Sequence, residues 1–275
     1  MTTQGTYETL SNVPAYLVYL INLTGTVLAH PMDVMRVNVQ ASALHYISLR
    51  RIIRLMFNKK GIRGFYYGLE GAIVRCTVQS ISQYMFFHYL KHSQYITILK
   101  PFDNNAVAGL SGFCSGMLAT PFVKYAMIRQ TDLTRNVYDR RNYVNFANAC
   151  FCMFHKGGIK HIFAGFKLHA LTSCALAVAT PPIYNTIQDL LVKLHKLDDK
   201  PWEISLISLT LTGSILSLIF TPVDAIKTII MTADYEVYPM KKDVCAALIQ
   251  RHGYKGFFLG LKPALAAIIP HSIVA

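Results

Sequence analysis

An internal repeat of about 95 residues is the feature that most limits how this chain can fold. Three matching proline-containing segments, the Pro strings, are HPMDVMRVNVQ from His30, TPFVKYAMIRQ from Thr120 and TPVDAIKTIIM from Thr221. A glycine-containing segment, the Gly string, follows each: GIRGFYYGL at 61–69, GIKHIFAGF at 158–166 and GYKGFFLGL at 253–261. Pro31, Pro121 and Pro222 are 90 and 101 residues apart, and the final glycines Gly68, Gly165 and Gly260 are 97 and 95 apart. Two markers with one period predict a triplicated unit, with boundaries at 1–92, 93–192 and 193–275.

Composition indicates that the repeats fold in lipid. Apolar residues make up 53% of the chain and charged residues only 15%, whereas soluble domains carry about 25% charged residues. The mean hydropathy is +0.33. These values exclude a disordered chain, a collagen-like fibre and a small disulfide scaffold, and they favour an all-α membrane protein.

Each repeat is predicted to contain two membrane-spanning helices, one through the Pro string and one after the Gly string. The predicted spans are 13–38, 69–91, 104–129, 166–192, 204–231 and 262–275. The first five are long enough to cross about 30 Å of hydrocarbon at about 1.5 Å per residue. The sixth has 14 residues and is expected to be short.

The segments between the two spans of each repeat carry much of the net charge of +13. Between Val37 and Gly68 there are six Lys and Arg residues and no Asp or Glu. Such connectors favour the more negative compartment, and the alternating apolar residues of the first one predict a surface-lying amphipathic helix. A nucleic-acid-binding stripe is the alternative, but short basic segments strung between membrane spans do not favour it. The N-terminal residues lack the pattern of a cleaved targeting peptide.

In two of the three Pro strings an acid lies two residues and a base five residues after the proline. A proline inside a helix removes a backbone hydrogen bond and kinks it, so three equivalent kinks predict helices that converge at one end. Asp33 and Arg36 are three residues apart, as are Asp224 and Lys227. Charges at membrane depth normally face partners inside a bundle, which predicts ion pairs that close one end of a cavity.

No pattern typical of catalysis or cofactor binding occurs in the chain. We find no nucleophile–base–acid set, no glycine-rich nucleotide loop and no metal-ligand spacing, and the six cysteines include no repeated C-x-x-C. The prediction is a protein that is not an enzyme and that needs neither cofactor nor metal.

The three Pro strings resemble the repeated signature of the mitochondrial carrier family, and the resemblance covers essentially the whole chain. It is greatest to the dicarboxylate and oxoglutarate carriers, on HPMDVMRVNVQ, on RRNY at 140–143, on GLEGAIVR at 68–75 and on GLKPALAAIIPHS at 260–272. It implies a monomer of six tilted transmembrane helices around a pseudo-threefold axis, with three matrix-side amphipathic helices. It also implies alternating-access transport across the mitochondrial inner membrane.

The resemblance implies a matrix gate formed by ion pairs between the repeats. The residues at its positions are Asp33, Arg36, Asp224 and Lys227, with Gln40 and Gln130 at the positions of a glutamine brace. In repeat two, Val123 and Ala126 replace the charged members. We therefore expect Asp33 and Lys227 to lack partners, so that only Arg36 and Asp224 pair. At the opposite gate, His88 and Asn185 stand where the family has acids.

Substrate contacts are also implied by the resemblance, near mid-membrane on the even-numbered helices. The matching positions hold Arg75, Gln83, Thr172 with Ser173, and Ala267. Dicarboxylate carriers have arginine at three of these positions, and a guanidinium binds a carboxylate through two hydrogen bonds. Here one arginine remains. The candidates for replacing the others are Lys167, His169 and His271, for which helix-end or packing roles are the alternative.

The glycines that end the Gly strings are a predicted lipid site. Gly68, Gly165 and Gly260 open helices, whose free N–H groups and positive dipole ends attract anions. The resemblance implies that these turns, with the aromatic residues Tyr66, Phe163 and Phe258, bind cardiolipin phosphates. Purely structural turn glycines are the alternative.

Two functions follow from this pattern. The first is exchange of small anions, either a dicarboxylate such as malate or succinate, or phosphate or sulfate. The second is a degenerate carrier homologue that does not transport and that acts as a membrane receptor, a scaffold or a leak pathway. The lost contact arginines and gate charges support the second interpretation.

Overall fold

The computed structural model describes residues 14–43, 48–92, 104–195, 201–233 and 241–274, and the regular structure in them is helical. The α-helices are α1 Ala15–Ala41, α2 Leu49–Lys60, α3 Leu69–His92, α4 Asn104–Asp132, α5 Phe146–Ile162, α6 Phe166–His195, α7 Pro201–Thr232, α8 Lys241–His252 and α9 Leu261–Val274. Short 3-10 turns occupy Gly61–Tyr66, Val137–Asp139 and Gly253–Phe258. The order of a predicted span, a connector helix and a second predicted span therefore occurs three times, as the repeats predict.

The six long helices coincide with the six predicted spans. Pro31, Pro121 and Pro222 each lie inside a helix rather than at its end. The main difference is length, because α1, α4 and α6 continue a few residues beyond the predicted ends.

The long helices form a closed ring. Going round it, α1 packs against α3, α3 against α4, α4 against α6, α6 against α7, α7 against α9, and α9 against α1. The first, third and fifth helices of the ring, α1, α4 and α7, also contact one another. Their shared apolar cluster lies within the Pro strings, apart from Ala119 just before the second one, and consists of Val37, Ala119, Val123, Met127 and Met231. The three kinked helices thus converge at one end, as predicted.

The ring's outer faces suit a bilayer. The segments with the length and hydropathy of a membrane span are Asn104–Asp132, Trp202–Thr232 and Asp243–Val274, and a fourth is counted if Phe146–Ile162 and Phe166–Lys193, bent by 54°, act as one. The helices α1 and α3 do not reach the hydropathy of these segments. At 27 and 24 residues they remain long enough to cross about 30 Å.

The first basic connector forms the predicted amphipathic helix. On α2, Ile52 and Met56 are buried in a cluster with Val34 of α1 and Leu133, whereas its arginines are exposed. The Lys59 ammonium at its end donates to Leu133 O at 2.9 Å and to Arg135 O at 3.3 Å. Burial, and to a smaller degree the charge of Arg140, lowers the pKa of Lys59. This helix therefore joins the first repeat to the second.

Glycine permits close contact between α4 and α6. A Cβ atom at Gly116 would lie 2.9 Å from Ala170 Cα, which is backbone that cannot rotate away. We expect Gly116→Val to destabilise the protein by about 1–3 kcal/mol through overpacking. The measurement is the thermal unfolding temperature in detergent, with Leu118→Val on the exposed face of the same helix as the control. Equal unfolding temperatures for the two variants would show that α4 and α6 are not in close contact.

Candidate functional site

Five charged side chains form a cluster inside the convergent end of the ring, and we call them the central charge cluster: Asp33, Arg36, Arg75, Asp224 and Lys227. Arg36 is its centre. One guanidinium nitrogen of Arg36 lies 2.7 Å from Asp33 Oδ1, and the other lies 3.1 Å from Asp224 Oδ2. The second contact joins α1 to α7 and is the pairing that the sequence predicts.

Asp33 and Lys227 are not left alone, which corrects the sequence prediction. Asp33 accepts from its own helix neighbour Arg36, and its Oδ2 lies 3.5 Å from Arg75 Nη2 on α3. Lys227 Nζ lies 2.5 Å from Asp224 Oδ1, one turn away on α7. Residues three apart on a helix are neighbours, so the acid and the base of one Pro string can pair with each other. This happens in both the first and the third Pro string. This end is therefore closed by a connected network rather than by one pair.

Packing accounts for the apolar residues at the matching positions of the second repeat. Val123 and Ala126 are buried, with Ala126 only 1% exposed. A Cβ atom at Gly71 of α3 would lie 2.9 Å from Ala126 Cα, so the two helices touch at this point. A long charged side chain at position 126 has no space, and this repeat contributes backbone contact instead of an ion pair.

The two predicted brace glutamines lie at the same end and are buried. The Gln130 amide donates to Asp33 Oδ2 at 3.3 Å and so links α4 to the central charge cluster. Gln40 accepts from the Thr228 hydroxyl at 2.8 Å and donates to Leu259 O at 3.3 Å. Gln40 therefore joins α1 to α7 and to the turn that precedes α9.

The predicted substrate-contact residues lie in different surroundings. Arg75 lies in the ring, and its Nε is buried with no hydrogen-bond partner among the described residues. The Thr172 hydroxyl donates to Leu168 O and His169 O of its own helix, both at 2.9 Å. Ser173 packs against Gly112 and Gly116 in the α4–α6 contact. Gln83 and Ala267 are half-buried. Of these residues, Arg75 alone belongs to the central charge cluster.

Two polar contacts between helices were missed by sequence reasoning. Arg129 Nε lies 2.7 Å from Glu70 Oε1, which ties α4 to the start of α3, and its guanidinium also donates to Tyr143 O at 3.0 Å. Lys124, only 1% exposed, donates from its ammonium to His161 O. The only sequence signal for Lys124 is a charge inside an apolar Pro string, at a position where the other repeats have Val34 and Ala225.

The three helix-opening glycines have the same geometry. The φ angles of Gly68, Gly165 and Gly260 are 82°, 85° and 84°, a left-handed conformation that other residues rarely adopt. The carbonyl oxygen of each glycine accepts the first hydrogen bond of the helix that follows. The backbone amides of the first turn therefore have no acceptor within that helix. The neighbouring aromatic residues Tyr66, Phe163 and Phe258 are exposed in all three repeats.

A pocket of about 450 Å³ lies beside the first of these turns. Its lining includes three cations and one acid, together with two tyrosines and the turn glycine: Lys60, Arg63, Arg129, Glu70, Tyr66, Tyr67 and Gly68. The excess of positive charge and the aromatic rings suit an anionic group at the membrane surface.

The opposite end of the ring contains aromatic and basic groups. Lys91 Nζ lies 6.0 Å from the centre of the Phe87 ring, and His88 contacts His92 with ring centres 4.6 Å apart. With His88 and Asn185 in place of acids, these two positions supply no carboxylate. These two positions therefore differ in chemistry from the central charge cluster, which contains two carboxylates.

Comparison with known proteins agrees with this architecture. The model of the family described as Mitochondrial carrier protein matches residues 20–96 and 198–275, which is more than half of the chain. The chain is 23% identical over 246 residues to the Mitochondrial dicarboxylate carrier of Caenorhabditis elegans, covering 89% of this chain and 84% of that protein. It is 24% identical over 255 residues to the Mitochondrial dicarboxylate transporter of Saccharomyces cerevisiae, covering 90% and 84%.

A third relative carries a different substrate in its name. The Mitochondrial citrate transporter F of Aspergillus niger is 24% identical over 253 residues, covering 89% of this chain and 80% of that protein. The residues that the family model matches include α1 from residue 20, the whole of α3, α7 and α9, and all five members of the central charge cluster. This chain belongs to the mitochondrial carrier family of membrane transport proteins and is a multi-pass protein of the mitochondrial inner membrane.

Proposed function

We propose that the chain exchanges small anionic metabolites across the inner membrane by alternating access. The observation that carries the proposal is Arg75, a guanidinium inside the ring that contacts only one carboxylate, at 3.5 Å, and whose Nε has no partner among the described residues. A partly paired guanidinium at membrane depth is costly unless it binds something, and anions are its natural ligands.

The substrate class that we propose is a dicarboxylate such as malate or succinate, or an inorganic anion such as phosphate or sulfate. The names of the relatives from Caenorhabditis elegans and Saccharomyces cerevisiae support the first group. A guanidinium presents parallel N–H donors that fit a carboxylate, a phosphate or a sulfate equally well.

The convergent end acts as the matrix gate in this proposal. Its members are the predicted residues Asp33, Arg36, Gln40, Gln130, Asp224 and Lys227. Opening requires the contact between Arg36 and Asp224 to separate, because it is the ion pair of the cluster that joins α1 to α7. The kinks at Pro31, Pro121 and Pro222 set the angle at which the three helices meet.

Lipid binding is a second part of the proposal. The amides after Gly68, Gly165 and Gly260, the exposed aromatic residues beside them and the cationic pocket at the first turn support binding of cardiolipin phosphates. The carrier acts as a monomer with the basic connectors on the matrix side.

A non-transporting homologue that acts as a receptor, a scaffold or a leak pathway is the second candidate. The observation that favours it is the loss of charge at the remaining contact positions, since Ala267 offers no polar group and the Thr172 hydroxyl is engaged within its own helix. The two candidate functions predict different results in an exchange experiment. Only an exchanger takes up labelled anion faster when an anion is present on the opposite side of the membrane.

Reconstitution tests the proposal. Purified protein in liposomes loaded with unlabelled anion is expected to take up labelled malate, phosphate or sulfate, and Arg75→Ala is expected to lower the initial rate at least about a hundredfold, because truncating a buried charged contact costs about 3 kcal/mol or more. Arg54→Ala on the exposed face of α2 is the matched control and is expected to keep the wild-type rate. Absence of uptake for all three anions would contradict the proposal.

A further inference from the structure

His169, one of three candidates for replacing the lost contact arginines, is a buried polar group. It lies on α6, one turn before Thr172, and is only 9% exposed. Neither ring nitrogen has a hydrogen-bond partner in the described part of the chain. Buried polar atoms nearly always find a partner, because leaving one without a hydrogen bond costs about 1–3 kcal/mol. An imidazole with both nitrogens unsatisfied therefore points to a ligand.

The surroundings of His169 are cationic. Its ring lies within electrostatic range of Lys227 and Asp224 from α7 and of Arg75 from α3. The other helix packed directly against α6 is α4, whose Lys124 ammonium donates to His161 O. The other two charged residues of α4 contact groups elsewhere, Arg129 contacting Glu70 and Asp132 accepting from the amides of Arg141 and Asn142. Arg75, which interacts electrostatically with His169, has a buried Nε that is likewise without a hydrogen-bond partner in the described part of the chain.

The total charge of the central charge cluster limits what binds there. Arg36, Arg75 and Lys227 contribute three positive charges, and Asp33 and Asp224 contribute two negative charges, which leaves one positive charge. A ligand with one negative charge neutralises it. A second full negative charge would lie near two carboxylates without a cation of its own, and an uncompensated charge in a poorly hydrated site is strongly unfavourable.

We propose that His169 is the second contact for the transported anion, and that the site takes anions with one full negative charge and a second acceptor oxygen. The charged end binds Arg75, and the acceptor oxygen receives a hydrogen bond from the imidazole. This inference rests on the proposed function and narrows its substrate class to half-neutralised dicarboxylates, dihydrogen phosphate and similar ions.

A pair of matched probes tests the charge preference. Succinate and monomethyl succinate share a four-carbon backbone, but the ester replaces one carboxylate by a neutral group that keeps its carbonyl acceptor. Both are added as competitors to the exchange of labelled malate or phosphate in liposomes. We expect the monoester to inhibit at a concentration no higher than succinate does. Inhibition by succinate at a tenfold lower concentration would overturn the proposal.

Variants of His169 test the contact. His169→Phe keeps the aromatic ring but removes the donor, and we expect it to raise KM about tenfold, the loss of one hydrogen bond to a bound ligand. His169→Gln keeps an N–H donor and is expected to stay within about twofold of wild type. An unchanged KM in His169→Phe, in a protein with wild-type unfolding temperature, would overturn the assignment.

Ligand-induced stabilisation separates this inference from the proposed function. Monomethyl succinate is expected to raise the unfolding temperature of the detergent-purified wild type and not that of His169→Phe, whether or not the protein transports. Exchange by the wild type with no effect of His169→Phe in either assay overturns the inference alone. Stabilisation lost in His169→Phe without any exchange overturns the transport proposal and supports the site.

Discussion

Arg36→Gln is expected to destabilise the folded protein by about 3–5 kcal/mol, because it leaves two carboxylates at membrane depth without the guanidinium between them. Asp33 and Asp224 both contact that guanidinium, at 2.7 Å and 3.1 Å, and all three side chains are less than a quarter exposed. The measurement is unfolding of the purified protein in detergent by heat or denaturant. Arg54→Gln on the exposed side of α2 serves as the control for loss of an arginine.

A variant of the whole cluster separates charge from packing at the same place. Arg36→Gln, Asp33→Asn, Arg75→Gln, Asp224→Asn and Lys227→Gln together neutralise all five members of the central charge cluster, so none of its charges is left without a partner. Replacing a whole buried ion network by neutral groups is often close to neutral for stability, so we expect most of the lost stability to return. A five-site variant as unstable as Arg36→Gln would show that the arginine acts through packing and not through the two carboxylates.

The second large effect is expected at Ala126, where a family-based argument and the structure predict opposite results. From the repeat pattern alone, Ala126→Lys would restore a base to repeat two and so give Asp33 a partner from that repeat. In the structure Ala126 lies against Gly71 of α3 with no room for a longer side chain. We expect Ala126→Lys to cost about 3 kcal/mol or more, through overpacking and a buried charge.

Ala126→Ser is the matched control, because serine adds one atom and no charge. It is expected to unfold within a few degrees of wild type. The measurement is again the unfolding temperature, together with the yield of folded protein after purification. An Ala126→Lys protein at least as stable as wild type would mean that the lysine reaches Asp33 and that α3 and α4 are farther apart than their contact at Gly71 indicates.

The architecture was predictable because the repeat fixes it through local chemistry. The Pro and Gly strings each specify a backbone event, a kink or a left-handed turn, and these events occur at equivalent places in the three repeats. Helix length and position follow from apolar runs of about 25 residues, which is a strong signal in a membrane protein.

The site was predictable only where its residues belong to that repeated signature. The pairing of Arg36 with Asp224 follows from equivalent positions in repeats one and three. The contact of Asp33 with Arg75 and that of Gln130 with Asp33 depend on how helices are rotated about their own axes, which the repeat period does not specify. The expectation that Asp33 and Lys227 lack partners was wrong because it considered only pairs between repeats and not those within one Pro string.

His169 illustrates the same limit for substrate contacts. The sequence made it one of three possible substitutes for the lost contact arginines, but a helix-end or packing role was the favoured interpretation. Burial together with two unsatisfied ring nitrogens distinguishes these interpretations, and both are properties of the folded ring. Neither burial nor the absence of hydrogen-bond partners can be read from the spacing of residues along α6.

Dependence of uptake on an internal anion tests the central claim most directly. Labelled malate and labelled phosphate are offered to liposomes that contain the purified protein and are either loaded with the same unlabelled anion or empty. A carrier closed at its convergent end by the central charge cluster is predicted to take up at least one of these anions more than tenfold faster into loaded than into empty liposomes. Equal uptake into both, or no uptake into either, would contradict the account, the first result indicating a leak and the second a homologue that does not transport.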